Sequence, residues 1–269
     1  MPLCFSFAGV AGNFPFEIGA ARALLMLHGK PAAYAGVSSG SVLATFLALG
    51  YNPDSIHEQF LRFSYYFDRW WKTPLTWWLS ATTLMFSELL PPDAYRQVSG
   101  KLYIGYSVLT TRGLEPRVVS TFTSNQDIID AVLTSCHLFP YAWSGLRYYR
   151  GELACDGVHT CGLIKPEGYT TIGITTSMVS AHCAWHDWLP TLDEQKALRL
   201  QGTGYNFVMR YRNYFSNMKQ GDILTAFSGN PFRRWRRGAM WLCLLYFWMR
   251  FPFLNLKKRV LASFASLRS

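Results

Sequence analysis

A serine in a glycine-bearing turn is the first residue whose setting suggests chemistry. The segment Gly36-Val37-Ser38-Ser39-Gly40 matches the pattern G-x-S-x-G, in which the central serine is a nucleophile. Small residues two positions before and after the serine allow the sharp strand-to-helix turn that lifts its hydroxyl out of a sheet. The pattern predicts Ser38 as a nucleophile supported by Gly36 and Gly40. The alternative is a structural turn with an unused serine.

A serine hydroxyl needs a base before it becomes a strong nucleophile. None of the six histidines stands in an evident loop with a carboxylate to orient it, as a Ser-His-Asp triad requires. Asp156 follows a strand-like segment, and Gly157 beside it allows close backbone approach. A carboxylate in a water-poor pocket can take the proton without an imidazole. We therefore predict Asp156 as the base, with an ordinary turn at a strand end as the alternative.

The elements that would position these residues are indicated by the apolar pattern. Residues 3–8 and 32–37 are short apolar runs typical of buried strands, and 16–28 and 41–49 have helical spacing. This order of strand, helix, strand and helix predicts an α/β fold with a largely parallel sheet. Further strands are predicted at 102–110, 117–122, 147–153 and 170–175, and helices at 54–69, 126–135 and 191–219.

Several motifs together resemble those of patatin-like phospholipases, including the adiponutrin-type triacylglycerol lipases, over about residues 4–215. The motifs occur in the family's order: Ser6-Phe7-Ala8-Gly9, Gly36-Val37-Ser38-Ser39-Gly40-Ser41, Ser135-Cys136-His137-Leu138-Phe139-Pro140, Tyr149-Arg150-Gly151 and Asp156-Gly157. The resemblance implies a three-layer α/β/α fold and a Ser38–Asp156 dyad that hydrolyses lipid acyl esters through an acyl-enzyme. It implies neither a metal nor an organic cofactor.

The resemblance also implies an oxyanion hole, formed by the backbone amides of four successive residues, Gly9, Val10, Ala11 and Gly12. The chain departs from the family here, because the family's loop is a glycine run followed by a basic residue and another glycine. A second departure is Val158 after Asp156-Gly157, where the family usually has a second glycine. Two alternatives to a hydrolase therefore stay open: a weak or inactive lipid-binding protein, and a lipid transacylase.

Two other segments have competing interpretations. Residues 70–90 carry four tryptophans, which indicates either core plus loop or an apolar cap over an acyl-binding groove. His182 and Asp187 have the spacing of glycerolipid acyltransferases, but the surrounding residues do not complete that pattern. His182, Cys183 and His186 lack an evident third metal ligand, so we predict no metal and a loop.

The charge of the chain is concentrated at its C-terminal end. Of 26 Lys and Arg residues, nine lie in 231–269, which has no acidic residue, whereas residues 1–230 are nearly neutral. Arg233-Arg234-Trp235-Arg236-Arg237 precedes an uncharged, mostly apolar run, 238–249, which is too short to cross a bilayer. We predict an acylhydrolase domain over 1–220 and a tail over 221–269. Residues 231–256 would contact a membrane or lipid-droplet surface rather than nucleic acid. The alternative is a core helix with a solvated basic flank.

Composition sets the remaining limits. Half of the residues are hydrophobic and 16% are charged, which excludes general disorder. The six cysteines are scattered and predict reduced thiols, and the N-terminus is typical of a strand rather than a signal peptide. We therefore expect an intracellular protein with peripheral or monotopic membrane association.

Overall fold

The parallel part of the sheet is formed by short apolar segments. The computed structural model describes residues 1–65, 74–139, 146–188 and 193–216. Within them, β1 (Leu3–Phe7), β2 (Ala33–Val37), β3 (Leu102–Thr110) and β7 (Thr170–Ile174) lie in the order β3-β2-β1-β7, and all three of these pairings are parallel. The central strands β1 and β2 are buried along almost their whole length, as strands covered on both faces must be.

The other part of the sheet is antiparallel. β4 (Gly113–Val119) and β6 (Glu152–Asp156) both pair with β3, and β5 (Arg147–Tyr149) pairs with β6. The sheet is therefore mixed, with three parallel and three antiparallel pairings among the described strands.

Apolar clusters cover both faces of the sheet. Phe5, Phe7 and Tyr34 enter a large cluster shared with the α-helices. Their neighbours along the strands enter a smaller cluster that includes Ile164. A Cβ on Gly157 would lie 2.8 Å from Val37 Cγ1, so the 3-10 turn Gly157–His159 borders the smaller cluster. The expected α/β class, with helices on both sides of the sheet, is confirmed.

The described α-helices all contribute side chains to the larger cluster. They are α1 (Phe14–His28), α2 (Ser39–Ala48), α3 (Pro53–Tyr65), α4 (Pro74–Leu89), α5 (Ala94–Val98), α6 (Asn125–Ser135), α7 (Thr176–Ser180), α8 (Glu194–Arg210) and α9 (Arg212–Ser216). Among the described residues, no helix has both the length and the apolar character needed to cross a bilayer.

Several predicted boundaries were wrong. The strand predicted over 147–153 is a hairpin, β5–β6, because Arg150 and Gly151 both have positive φ and reverse the chain. The strand predicted over 117–122 lies at 113–119, and the helix predicted over 191–219 is divided by Tyr211 into α8 and α9. The segment from His182 to Asp187 was expected to be a loop, but it overlaps the 3-10 helix Trp185–Trp188.

The tryptophan-rich block is largely the helix α4. Its residues Trp78, Met85 and Phe86 are buried in the main cluster, which supports the core interpretation for these three. Residues 66–73, and all of the tail from 217 to 269, lie outside the described residues.

Candidate active site

The meeting of two strands on β3 places Ser38 beside Asp156. Residues 104 and 105 of β3 pair with β2 and β4, whereas residues 106–108 pair with β4 and β6. Because a strand has only two edges, β2 and β6 must follow one another along the same edge of β3. β2 runs parallel to β3 and β6 runs antiparallel, so their carboxyl ends face each other. Ser38 directly follows β2, and Asp156 is the last residue of β6.

The two side chains that the sequence predicted as a pair are in direct contact. The Ser38 hydroxyl donates to Asp156 Oδ2 over 2.7 Å. Ser38 is half-buried and has φ 53° and ψ −129°, a region that residues with a side chain rarely adopt. This strained turn connects β2 to α2, as the G-x-S-x-G pattern predicts.

Close backbone contacts explain the glycines around the turn. A Cβ on Gly36 would lie 2.2 Å from Gly40 O, and one on Gly40 would lie 2.3 Å from Phe7 O. Gly9 packs directly against the serine, since a Cβ there would lie 2.8 Å from Ser38 Cβ. The chain can therefore fold over the end of β1 only with glycine at these positions.

Burial controls the charge of Asp156. Its side chain is 1% exposed, and this burial raises the pKa of the carboxyl to about 7. Hydrogen bonds from the Val158 amide, at 2.8 Å to Oδ1, and from the Ser38 hydroxyl act in the opposite direction and lower the pKa. The carboxyl is thus a stronger base than an exposed aspartate.

The predicted oxyanion loop lies against the serine turn but is already partly bonded. The Val10 amide donates to Ser39 Oγ over 3.0 Å, and Gly9 O accepts from Thr176 Oγ1 over 3.0 Å. Ala11 has φ 46°, in the left-handed region that favours glycine. The departure from glycine at position 11 therefore places an alanine in a backbone conformation that favours glycine.

An ion-pair network anchors the hairpin that carries Asp156. Arg150 donates to Asp127 Oδ2 over 2.7 Å and to Thr121 O over 2.7 Å, and the Tyr149 hydroxyl donates to Asp127 Oδ1 over 3.0 Å. Burial acts to raise the pKa of Asp127, but the hydrogen bonds from Arg150, Thr123 and Tyr149 outweigh it and hold the pKa below its ordinary value. The turn between β5 and β6 is therefore tied to the first turn of α6.

Comparison with known proteins shows the family of this chain. A sequence model of the family described as "Patatin-like phospholipase" matches residues 5–160, more than half of the chain. The chain belongs to the patatin-like phospholipase family. The human "Patatin-like phospholipase domain-containing protein 4" is 32% identical over 181 residues, which cover 62% of this chain and 68% of that protein.

Two further curated proteins that the chain resembles are longer than the chain itself. The mouse "Omega-hydroxyceramide transacylase" is 27% identical over 67% of this chain, and its human counterpart is 36% identical over 34% of it. The matched regions cover 31% and 16% of those proteins. Among solved structures, VipD from Legionella pneumophila has a TM-score of 0.49 at 12% identity, covering 79% of this chain and 66% of that one.

His182 and Asp187, which have the spacing of an acyltransferase pair, each bond to other residues of this patatin-like chain. His182 Nδ1 lies 2.8 Å from Met178 O, and the buried Asp187 pairs with Arg199 over 2.6 Å and with Lys196 over 3.7 Å. Within the described ranges, no group of three or more His, Cys, Asp and Glu side chains could hold a metal ion.

Sequence reasoning did not assign roles to the serines that surround Ser38. Ser41 Oγ donates to Ser38 O over 2.6 Å, Ser135 Oγ accepts from the Ser38 amide over 2.7 Å, and Ser107 Oγ donates to Asp156 O over 2.7 Å. Ser41 and Ser135 lie inside motifs that carried the family resemblance, so those motifs were a signal that could have pointed to the two serines. Ser107 lies in β3 and had no such signal.

Proposed function

We propose that this chain is a lipid acyl hydrolase that cleaves the carboxylic ester bonds of phospholipids or neutral glycerolipids through a Ser38–Asp156 dyad. The observation that carries the proposal is the 2.7 Å hydrogen bond from the Ser38 hydroxyl to Asp156. The donor lies at a strained turn and the acceptor is a buried carboxyl. Membership of a family of phospholipases supports the lipid substrate class.

In the proposed first step, Ser38 Oγ attacks the ester carbonyl carbon while Asp156 takes the hydroxyl proton. Asp156 then gives this proton to the leaving alcohol oxygen, and the acyl group remains on Ser38. In the second step Asp156 takes a proton from water, the resulting hydroxide attacks the acyl carbonyl, and Ser38 Oγ regains the proton. Amides of the Gly9–Gly12 segment, apart from the Val10 amide that is bonded to Ser39 Oγ, would stabilise the negative oxygen in both steps.

The reaction should depend on pH through the base. Only the ionised carboxylate accepts the Ser38 proton, and burial raises the pKa of Asp156 to about 7. We therefore expect the rate of the first step to rise with pH and to level off above about pH 8.

We propose that a lipid surface supplies the substrate. The support is the sequence of residues 231–256, which interleaves arginine with large apolar side chains. This segment lies outside the described residues, so its role rests on composition.

A transacylase is the second candidate function. Two relatives bear the name "Omega-hydroxyceramide transacylase". The acyl-enzyme chemistry would be unchanged, except that Asp156 would deprotonate a lipid hydroxyl instead of water in the second step.

A fluorophosphonate probe, which phosphorylates activated serines, tests the dyad. We expect wild type to be labelled and Ser38→Ala to remain unlabelled while it unfolds at a similar temperature. Equal labelling of the two, or a folded wild type that is not labelled, would contradict the enzymatic proposal and favour a lipid-binding role. Product analysis with phospholipid or triacylglycerol vesicles, with and without an acceptor lipid alcohol, would separate hydrolysis from acyl transfer.

A further inference from the structure

The strained conformation of Ser38 must be held by its surroundings. A residue with a side chain at φ 53° and ψ −129° costs on the order of 1–3 kcal/mol relative to a relaxed one. Close glycine contacts make the turn possible, but they do not hold it. A specific attachment is needed at the point where the backbone leaves the sheet.

Ser135, the last residue of α6, supplies such an attachment. Its hydroxyl donates to Gly105 O over 2.6 Å and accepts from the Ser38 amide over 2.7 Å. A serine hydroxyl has one proton, and a carbonyl oxygen can only accept, so the Gly105 bond fixes the direction of that proton. The oxygen lone pairs of Ser135 are therefore directed toward the Ser38 N–H.

The position of Gly105 explains why a side chain is needed here. Gly105 is the β3 partner of Val37, the last residue of β2. The next amide along the chain, that of Ser38, follows the last paired residue of β2 and bonds to a side chain instead of to β3. An amide that is removed from water and left unpaired costs about 1–3 kcal/mol, and the bond from the half-buried Ser38 to the fully buried Ser135 hydroxyl reduces this cost.

The same short segment also holds the other half of the dyad. The Asp156 amide donates to His137 O over 2.9 Å, two residues after Ser135. The end of α6 thus attaches Ser38 through a side chain and Asp156 through the backbone. This gives a physical role to the motif that begins at Ser135.

We propose that Ser135 is a positioning residue, which holds Ser38 in its reactive conformation through the Ser38 backbone amide. The proposal rests on the proposed function, in that the conformation is called reactive because Ser38 is taken as the nucleophile. Ser135 itself does not contact the reacting atoms.

The test uses the full chain and compares three variants. Ser135→Ala removes the hydroxyl, and Ser135→Cys fills the site with a poor hydrogen-bond acceptor. Thr134→Val is the matched control, because Thr134 is a buried α6 neighbour whose hydroxyl bonds to Asp130 O over 2.6 Å within the helix. Each variant is labelled with the fluorophosphonate probe over a range of concentrations and pH values, and its unfolding temperature is measured.

We expect Ser135→Ala and Ser135→Cys to slow the first-order labelling step by about tenfold, the equivalent of one lost hydrogen bond. Probe affinity should change by less than about twofold. The pH midpoint should rise, because a displaced Ser38 hydroxyl no longer lowers the pKa of Asp156. Thr134→Val should keep the wild-type rate and midpoint. Wild-type kinetics in either folded Ser135 variant would overturn the proposal. So would equal slowing in Thr134→Val.

Hydrogen exchange of the Ser38 amide tests the attachment without any reactivity. Exchange at this amide should be faster in Ser135→Ala, or in Ser135→Cys if the alanine variant does not fold, than in Thr134→Val. If wild type is not labelled but this exchange difference appears, the proposed function fails and the attachment stands. If labelling depends on Ser38 but the exchange difference is absent, the attachment fails alone.

Discussion

At the scale of single residues, the site concentrates two features that oppose folding. Ser38 has a strained backbone, and Asp156 is a carboxyl removed from water. Burial raises the pKa of Asp156 to about 7, whereas its ordinary value is 3.8. Between these values the unfolded chain releases a proton that the folded chain keeps. The contribution of this carboxyl to stability is therefore present below about pH 4 and is lost as pH rises to about 7.

Replacement of Asp156 by asparagine should separate stability from activity. Asparagine keeps an oxygen for the Val158 amide and offers an N–H to the Ser38 oxygen, but it carries no charge. We expect the free energy of unfolding of Asp156→Asn to exceed that of wild type by about 4 kcal/mol at about pH 8. The difference should largely disappear at about pH 4, and probe labelling should be lost.

Urea denaturation of both proteins at several pH values provides the measurement. Ser38→Ala is the control, since it removes the hydroxyl and leaves the Asp156 carboxyl able to ionise. A constant difference between Asp156→Asn and wild type across this pH range would show that Asp156 is not the titrating group.

Ala11 is a second residue where stability and activity can be compared. At φ 46° an alanine is strained by about 1 kcal/mol, and glycine removes this strain but gains a similar entropy in the unfolded chain. We expect Ala11→Gly to change the free energy of unfolding by less than about 1 kcal/mol and to increase the labelling rate, because the loop amides can turn toward the oxyanion. A folded variant that reacts at the wild-type rate or slower would contradict this role of the loop.

How far the sequence predicts the site depends on the range of each contact. Ser38 was predictable because G-x-S-x-G and the apolar runs beside it are local signals. Asp156 was predictable as a candidate, but its contact with Ser38 depends on two strands that meet on β3. Ser135 bonds to Ser38 and Gly105, which lie 97 and 30 positions earlier in the chain. No local pattern encodes such separations.

At the scale of elements, the hairpin β5–β6 illustrates the same limit. A continuous strand was predicted over residues 147–153, which include two tyrosines and one leucine. The reversal at Arg150 uses a positive φ that arginine seldom adopts, and the ion pair of Arg150 with Asp127 of α6 supports it. A tertiary contact therefore overrides the local preference, and only the structure reveals it.

The crossing of α1 and α8 provides an element-scale prediction. A Cβ on Gly204 would lie 2.0 Å from Phe16 O, whereas a Cβ on the exposed Gly202, in the same helix, would meet nothing within 4 Å. We expect Gly204→Ala to lower the free energy of unfolding by about 3 kcal/mol, because the helices must separate.

Gly202→Ala is the matched control and should raise the free energy of unfolding by about 0.5–1 kcal/mol through helix propensity. Thermal and urea denaturation of the two variants measure both effects. Equal changes in the two variants would mean that α8 does not approach α1 as closely as the Gly204 contact requires.

At the scale of the whole molecule, charge separates the body from the tail. Residues 1–230 carry 17 basic and 16 acidic side chains, whereas residues 231–269 carry nine basic side chains and no acidic one. A nearly neutral body has little attraction for an anionic surface. A cluster of arginines beside tryptophan and leucine combines electrostatic attraction with apolar insertion. The tail is therefore where the charge of this chain favours contact with lipid.

Neutralising the tail arginines tests this expectation. Each basic residue near an anionic membrane contributes about 1 kcal/mol, so replacing Arg233, Arg234, Arg236 and Arg237 by glutamine should weaken binding to phosphatidylserine-containing vesicles by about 100- to 1000-fold. Replacement of the same four by lysine is the matched control and should retain most of the binding, because the charge is kept. Vesicle flotation at low and high salt provides the measurement.

Two comparisons make this outcome specific to the tail. Fluorophosphonate labelling of the glutamine variant in solution should equal that of wild type, because Ser38 and Asp156 lie in the nearly neutral body. Its activity on vesicle-borne lipid should fall together with binding. If the glutamine variant floats with anionic vesicles as well as wild type does, the surface contact does not depend on these arginines, and the expectation for the basic cluster is wrong.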